Sequence, residues 1–372
     1  MSTGISRVRR LQEIMQEQHS SLAIISFTDQ MRYLTGYLEN GHKRLLALLI
    51  PAKGEPVFLV PSMNVQQAKQ NPAGISHVVG WGDAEGWLPS YNSLLQEMAI
   101  PSDATILVDD ELQSVHLMHM ISLMPGQFYK PADDILSVMR RIKTDTELED
   151  MQTAASLIDS IAEEVMHTVR LGQTEAEVQR MVVDACHARS THPSFTPLVC
   201  FGANGAMPHH SSDSTPLKEG DVVILDIGCF WNHYHSDITR TFSLGEPSDP
   251  EARSIYKVVQ RAHMAARALA APGISCEAVD EAARTVIESA GYGDYFIHRT
   301  GHGIGLSGHE PPYIVRGNSL LLEQKMCFSV EPGIYLPGRF GVRLEVIVTV
   351  EDEGVRSLNV DPPAELPVVE AR

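Results

Sequence analysis

The first third of the chain alternates short apolar runs with stretches of helical spacing. SLAIISF (21–27), RLLALLI (44–50), PVFLV (56–60), SHVVGW (76–81) and ATILVD (104–109) are each short and flanked by turn formers, which predicts five strands. PAKGEP (51–56) supplies the turn chemistry for a hairpin between two of them. The alternation predicts a small α/β domain over residues 1–130. The segment that follows, 131–143, reads as a linker.

From residue 144 the pattern changes. Thr144 with Glu147 forms a capping-box signature, and Leu148, Met151, Ala155, Ile158, Ala162, Val165 and Val169 keep helical spacing up to Gly172. Thr174 and Glu177 open a second helix that runs to about Arg189. Strand-like segments follow: LVCFG, DVVILDIG and HSDITRTFSLG. The plan then repeats. Asp249 and Pro250 begin a helix stopped by Pro272 and Gly273, and Ser275 opens another that ends at Gly291. FIHRTGHG, KMCFSVEPG and VRLEVIVTVE are the strands of this second round. Two helices and then strands, stated twice, predict an α+β domain of two pseudo-equivalent halves over 144–372.

Length and composition fit this plan. A chain of 372 residues with 43% apolar content has room for two packed cores. The formal charge of −18 repels phosphate backbones and argues against nucleic acid as a partner. The five cysteines are dispersed without a CxxC pair, which reads as free thiols in a reducing compartment. The longest greasy run, LLALLI at 45–50, is too short to span a bilayer, and the N-terminus has no apolar signal core. A soluble, cytoplasmic protein without membrane partners is expected.

The candidate chemistry lies in the second domain. His42, His77, His116 and His119 in the first are isolated and read as ordinary surface or core residues. DVVILDIGCFWNHYHSDITRT is a candidate hairpin, and a loop centred between Trp231 and Asn232 sets Asp226 opposite Asp237. SVEPGIYLPGRFGVRLEV bends around Gly338, which sets Glu331 opposite Glu345. Each half thus brings an acid pair into an apolar setting, where unpaired carboxylates repel and are costly to bury. HRTGHGIGLSGHE (298–310) threads three histidines through four glycines, and His302 is a plausible fifth ligand. Four carboxylates balance two divalent cations. A water held between two such ions loses its proton near pH 7. Carboxylates with a single imidazole favour Mn, Co or Zn. The glycines Gly301, Gly303 and Gly305 would let the backbone and His302 pack against the ions.

At these residues the sequence resembles the pita-bread metallopeptidases: prolidase (Xaa-Pro dipeptidase), Xaa-Pro aminopeptidase and methionine aminopeptidase. RYLTGY is similar to the creatinase/prolidase N-terminal domain, and LDIG, SDITRT, GHGIGLSGHEPP, VEPGIY and RLE match the family motifs in order. The resemblance implies metal ligands at Asp226, Asp237, His302, Glu331 and Glu345. It implies that His209 and His309 steady the scissile carbonyl and its tetrahedral intermediate and move protons, with His210 the adjacent alternative. Glu331 doubles as the proton acceptor for the attacking water. By the same resemblance His298 lines the pocket, Tyr335 hydrogen-bonds there, and Arg343 orients Glu345 or meets a substrate carboxylate.

The activity implied is dinuclear metal-dependent hydrolysis of Xaa-Pro bonds in dipeptides or, alternatively, in longer peptides, by a homodimer. A dipeptidase needs a cation for the proline carboxylate. Arg316, Arg339 and Arg343 are the candidates, since Tyr313 after HEPP carries no charge. Two further readings have less support. One is an ectoine hydrolase or sulfonium lyase on the same fold, and the other a binding protein on an inactive scaffold.

Overall fold

The computed structural model describes residues 3–39 and 43–371, so His42 lies outside the described residues. The chain divides into two compact units, 1–140 and 141–372.

The first unit is built on a six-stranded sheet. Its spatial order is Val78–Trp81, Val57–Pro61, Ala47–Pro51, Leu22–Ser26, Thr105–Val108, Phe128–Pro131. The hairpin predicted at PAKGEP joins the antiparallel strands Ala47–Pro51 and Val57–Pro61. The strands Leu22–Ser26, Ala47–Pro51 and Val57–Pro61 are buried along their whole length, as expected of a sheet covered on both faces. The edge strand Phe128–Pro131 is largely exposed and shows no apolar alternation, which is why its sequence does not announce it. The stretch 131–143 carries the helix Asp133–Arg141. Two aspartates in its first turn complement the helix dipole, and Ile135 and Leu136 bury. His116 and His119 rest against Trp87.

The second unit realises the repeated plan. The helices Asp145–Thr168 and Glu175–Ala188 both start on complete capping boxes, Thr144/Glu147 and Thr174/Glu177. They pack on a sheet ordered Val368–Val369, Ile238–Leu244, Val222–Ile227, Leu198–Phe201. The core between them runs from Ile158 and Val182 to Phe201, Leu225 and Phe242. In the second half, Ala252–Leu269 and Cys276–Ser289 play the same part. Their sheet runs Glu310–Ile314, Gly301–Gly303, Cys327–Val330, Val346–Glu351, Gly354–Ser357. The helix expected from Asp249 begins at Ala252, because the Asp249 side chain caps a turn by accepting from the Glu251 N–H at 3.0 Å. Tyr256, Val259, Phe328 and Val348 are among the residues of the second core. None of the helices among the described residues is long and apolar enough to cross a membrane. All five cysteines are free and buried.

Candidate metal centre

One of the two hairpins departs from its expected register. Trp231 pairs with Tyr234 across a two-residue turn, Asn232–His233, with φ of 45° and 74°. Such left-handed pairs suit tight hairpins. The centre therefore lies one residue later than expected, and Asp226 faces Thr239 instead of Asp237. Asp237 falls two positions away on the same side, because a shift of two residues preserves the face. In the second hairpin the ladders on either side agree. Val330 pairs with Val346 and Gly333 with Arg343, which keeps Glu331 across from Glu345.

These placements bring the acids together. Asp226, Asp237 and Glu345 offer oxygens within 4.8 Å of one another, as do the ligand atoms of His302, Glu331 and Glu345. A third such group joins Asp237, His302 and His309. His302 Nε2 stands 3.3 Å from Glu331 Oε1 and 3.9 Å from Asp237 Oδ2. Its Nδ1 lies 3.0 Å from the Gly303 carbonyl oxygen, so the proton sits on Nδ1 and the Nε2 lone pair faces the acids. Burial, reinforced by neighbouring His309, lowers the His302 pKa to about 3, and the ring is neutral.

Acceptors therefore face acceptors. Burial, with Arg343 opposing and Asp226 adding to the rise, pushes Glu331 up to about 7. Asp237 and Glu345 are raised well above the carboxylate range, first by burial and then by the neighbouring acids. Asp237 Oδ1 and Glu345 Oε1 are buried without a hydrogen-bond partner. Oxygen-rich donors, one neutral imidazole and two unpartnered buried oxygens fit a bound divalent cation.

The surroundings orient the acids. Thr239 Oγ1 donates to Glu345 Oε2 at 2.6 Å, and Ser329 Oγ to Glu331 Oε1 at 3.0 Å. Arg343, 4% exposed, pairs with Asp226 rather than with Glu345, and donates to Tyr335 Oη at 2.9 Å and to Thr239 Oγ1 at 3.0 Å. Tyr335 Oη in turn donates to His298 Nε2 at 2.8 Å, and His298 Nδ1 donates to the Arg299 carbonyl at 2.7 Å. The glycines of the histidine stretch serve the sheet more than the ions. A Cβ at Gly301 would overlap the Ser329 carbonyl oxygen, and one at Gly303 would overlap the backbone at Glu310 and Pro311. Only glycine lets the three strands that position His302 approach this closely.

Asp226, Asp237, His302, Glu331, Glu345, His209, His309, His298 and Arg343 line one cavity of about 910 Å³, and Tyr335 hydrogen-bonds to two of them, His298 and Arg343. His209 and His309 open onto it, with Phe195, Leu198 and Pro208 as apolar lining. His210 does not line it. Its Nε2 lies 2.8 Å from the buried carboxylate of Glu175. Sequence reasoning missed Arg299, Thr239 and Ser329. The last two sit inside or beside quoted motifs, but only the strand pairing shows which acid each one touches.

An α/β unit and a catalytic unit of two pseudo-equivalent halves, whose strands converge on one acid-rich cavity, define the pita-bread metallopeptidases. Residues 149–352 match metallopeptidase family M24 and residues 7–142 match the creatinase/prolidase N-terminal domain, and the chain belongs to this family. It is 39% identical to a probable dipeptidase PepE of Mycobacterium tuberculosis over 91% of this chain and 89% of that one. It is 34% identical to an Xaa-Pro dipeptidase of Lactobacillus helveticus over 94% and 95% of the two chains. Its fold matches the crystal structure of a dipeptidase from Pyrococcus horikoshii OT3 with a TM-score of 0.92 at 35% identity, covering 98% and 100% of the chains.

Proposed function

We propose that this metallopeptidase hydrolyses the Xaa-Pro bond of dipeptides at a two-cation centre held by Asp226, Asp237, His302, Glu331 and Glu345. One observation carries the reading: four carboxylates and a neutral imidazole converge with two buried oxygens left unpartnered. The names of the M. tuberculosis and L. helveticus relatives support the substrate class. When bound, Mn, Co or Zn would polarise the scissile carbonyl and lower the pKa of a water to about 7.

The chain supplies the rest. Glu331 accepts the proton of the attacking water on its carboxylate and returns it to the departing proline nitrogen. His309 Nδ1 faces an Arg299 N–H at 3.3 Å, which leaves the ring proton on Nε2 as a donor. His309 and His209 steady the oxyanion. Phe195, Leu198 and Pro208 seat the pyrrolidine ring and exclude water.

The test is hydrolysis of Ala-Pro and of longer Xaa-Pro peptides by protein that has been chelated and then reloaded with Mn or Co. Metal-restored cleavage of Ala-Pro, absent in Asp237→Ala, supports the reading. Preference for the longer peptides converts it to an Xaa-Pro aminopeptidase. No cleavage of any of them with metal present overturns it.

A further inference from the structure

A substrate cut one residue from its C-terminus brings a carboxylate into a cavity that is already acidic, so a dipeptidase needs a cation there. The three arginines considered from the sequence are engaged elsewhere. Arg316 pairs with Glu281 at 3.0 Å and with Glu288 at 3.5 Å, and Arg339 with Asp249 at 2.7 Å and Glu251 at 2.6 Å. Arg343 is buried against Asp226.

Arg299 is different. It lines the cavity and, among the described residues, forms no ion pair, although its charge is felt at Glu331. Its guanidinium carbon lies 4.7 Å above the Tyr313 ring, and Nη2 is 3.3 Å from His309 Nδ1. Both supports are neutral. A ring face and an imidazole lone pair fix the guanidinium plane without cancelling its charge. Tyr313 is the strand partner of His302, so the support is built into the ladder that carries a proposed ligand.

The His302 and His309 rings are 3.8 Å apart, and Arg299 lies against the His309 ring.

We infer that Arg299 is a specificity-determining residue that holds the free C-terminal carboxylate of a dipeptide, its planar fork matched to the two carboxylate oxygens. This rests on the Xaa-Pro reading above. It also explains how a cavity without a charged residue at position 313 accepts a dipeptide: Tyr313 carries the arginine in place of a charge of its own.

Steady-state kinetics of the metal-loaded protein on Ala-Pro and on its C-terminal amide tests the inference. Wild type is expected to favour the acid over the amide by roughly 10- to 100-fold in KM, the range for a charge-assisted pair. Arg299→Met should raise KM for Ala-Pro by that factor and raise KM for the amide much less, so the preference collapses, while any loss of kcat from releasing the His309 ring falls on both substrates alike. Arg299→Lys keeps the charge without the fork and should recover part of the preference, which separates recognition from damage to the fold. Equal losses on acid and amide in Arg299→Met overturn the inference and leave the Xaa-Pro reading standing, as does a wild type that ignores amidation. A wild type that cleaves neither peptide overturns both.

Discussion

Glu175 is a fully buried carboxylate outside the cavity, and its removal gives a sharp prediction. It begins the helix Glu175–Ala188 and makes four hydrogen bonds to a single segment. Oε1 accepts from the Phe201 N–H at 2.8 Å and Asn204 Nδ2 at 2.9 Å, and Oε2 from His210 Nε2 at 2.8 Å and the Asp213 N–H at 3.0 Å. Those donors bracket His209. The carboxylate thus clamps the loop that delivers His209 to the cavity. Glu175→Ala strands two backbone N–H groups and two side chains, of which the Phe201 N–H is the most buried. An unsatisfied buried donor costs about 1–3 kcal/mol. With the other three partly reached by water, the total is about 3–5 kcal/mol. For a unit of this size that lowers its melting temperature by about 6–20 °C. Glu175→Gln keeps an acceptor for Phe201 and Asn204 but turns an amide toward the Asp213 N–H, so about half the loss is expected. Loosening His209 should also lower kcat on Ala-Pro by about 10- to 100-fold. Scanning calorimetry and steady-state kinetics on both variants measure these effects. An alanine variant that melts within 2 °C of wild type with kcat intact would refute the clamp.

Three further outcomes follow from the buried charges. In chelated protein, Asp237→Asn should melt at or above wild type, since it removes a buried acid crowded by Glu345, Asp226 and Glu331. Added Mn should raise the wild-type melting temperature, by about 2.7 kcal/mol of stability at a hundredfold excess over Kd, and should leave the variant unmoved; a retained Mn shift in Asp237→Asn would remove it from the ligand set. Glu331, Asp237 and Glu345 have folded pKa values above their unfolded ones, so the stability they contribute is present at low pH and lost as pH rises through about 7 for Glu331. The gap in urea stability between Mn-loaded and chelated protein should therefore narrow from pH 7.5 to 5.5, and a widening gap would contradict the assignment. His263 has the opposite sign. It is 2% exposed, and burial, with Arg267 and Arg240 nearby, lowers it to about 3, so it stays neutral while the unfolded chain protonates below about 6.5. At pH 5.5 wild type should lose about 1–2 kcal/mol relative to pH 7.5 that His263→Met does not lose, read by urea unfolding at both pH values.

How much of this was legible in the sequence depended on whether the signal was local. The helices opened by Thr144 and Thr174 are announced within four residues by side chain and backbone together, and the structure shows both capping boxes complete. The register of the Gly338 hairpin was readable because a glycine marks its turn, with φ of 72°. The other hairpin slipped by two because Asn232 and His233 take left-handed φ with no glycine to mark the centre. Parity rescued that site: an error of one residue would have put Asp226 and Asp237 on opposite faces. Contacts across elements were not legible. Arg343 is two residues from Glu345 in the chain, yet its partner is Asp226, brought in from the other half. Arg299 stood in the quoted motif beside three histidines and drew no attention, since only the paired strands reveal that Tyr313 supports it.

The way the cavity's acids are satisfied argues for an ion more strongly than their number does. Asp226, Glu331 and Glu345 each take one hydrogen bond or ion pair from a neighbour, from Arg343, Ser329 and Thr239 respectively. Glu345 receives it on Oε2 and leaves Oε1 unpartnered, and Asp237 Oδ1 is unpartnered too. Such outer contacts fix a carboxylate's direction without consuming it, as around a metal ligand. A cluster selected for stability alone would not stop at one paired arginine against four carboxylates. Breaking or leaving a buried charge uncompensated costs several kcal/mol, and apolar or amide replacements would avoid it. Arg343 offsets one of the four formal charges, so three remain, and the His302 ring beside them presents another lone pair. That imbalance is relieved when cations complete it, so metal binding and the stability of the catalytic unit are expected to be linked equilibria.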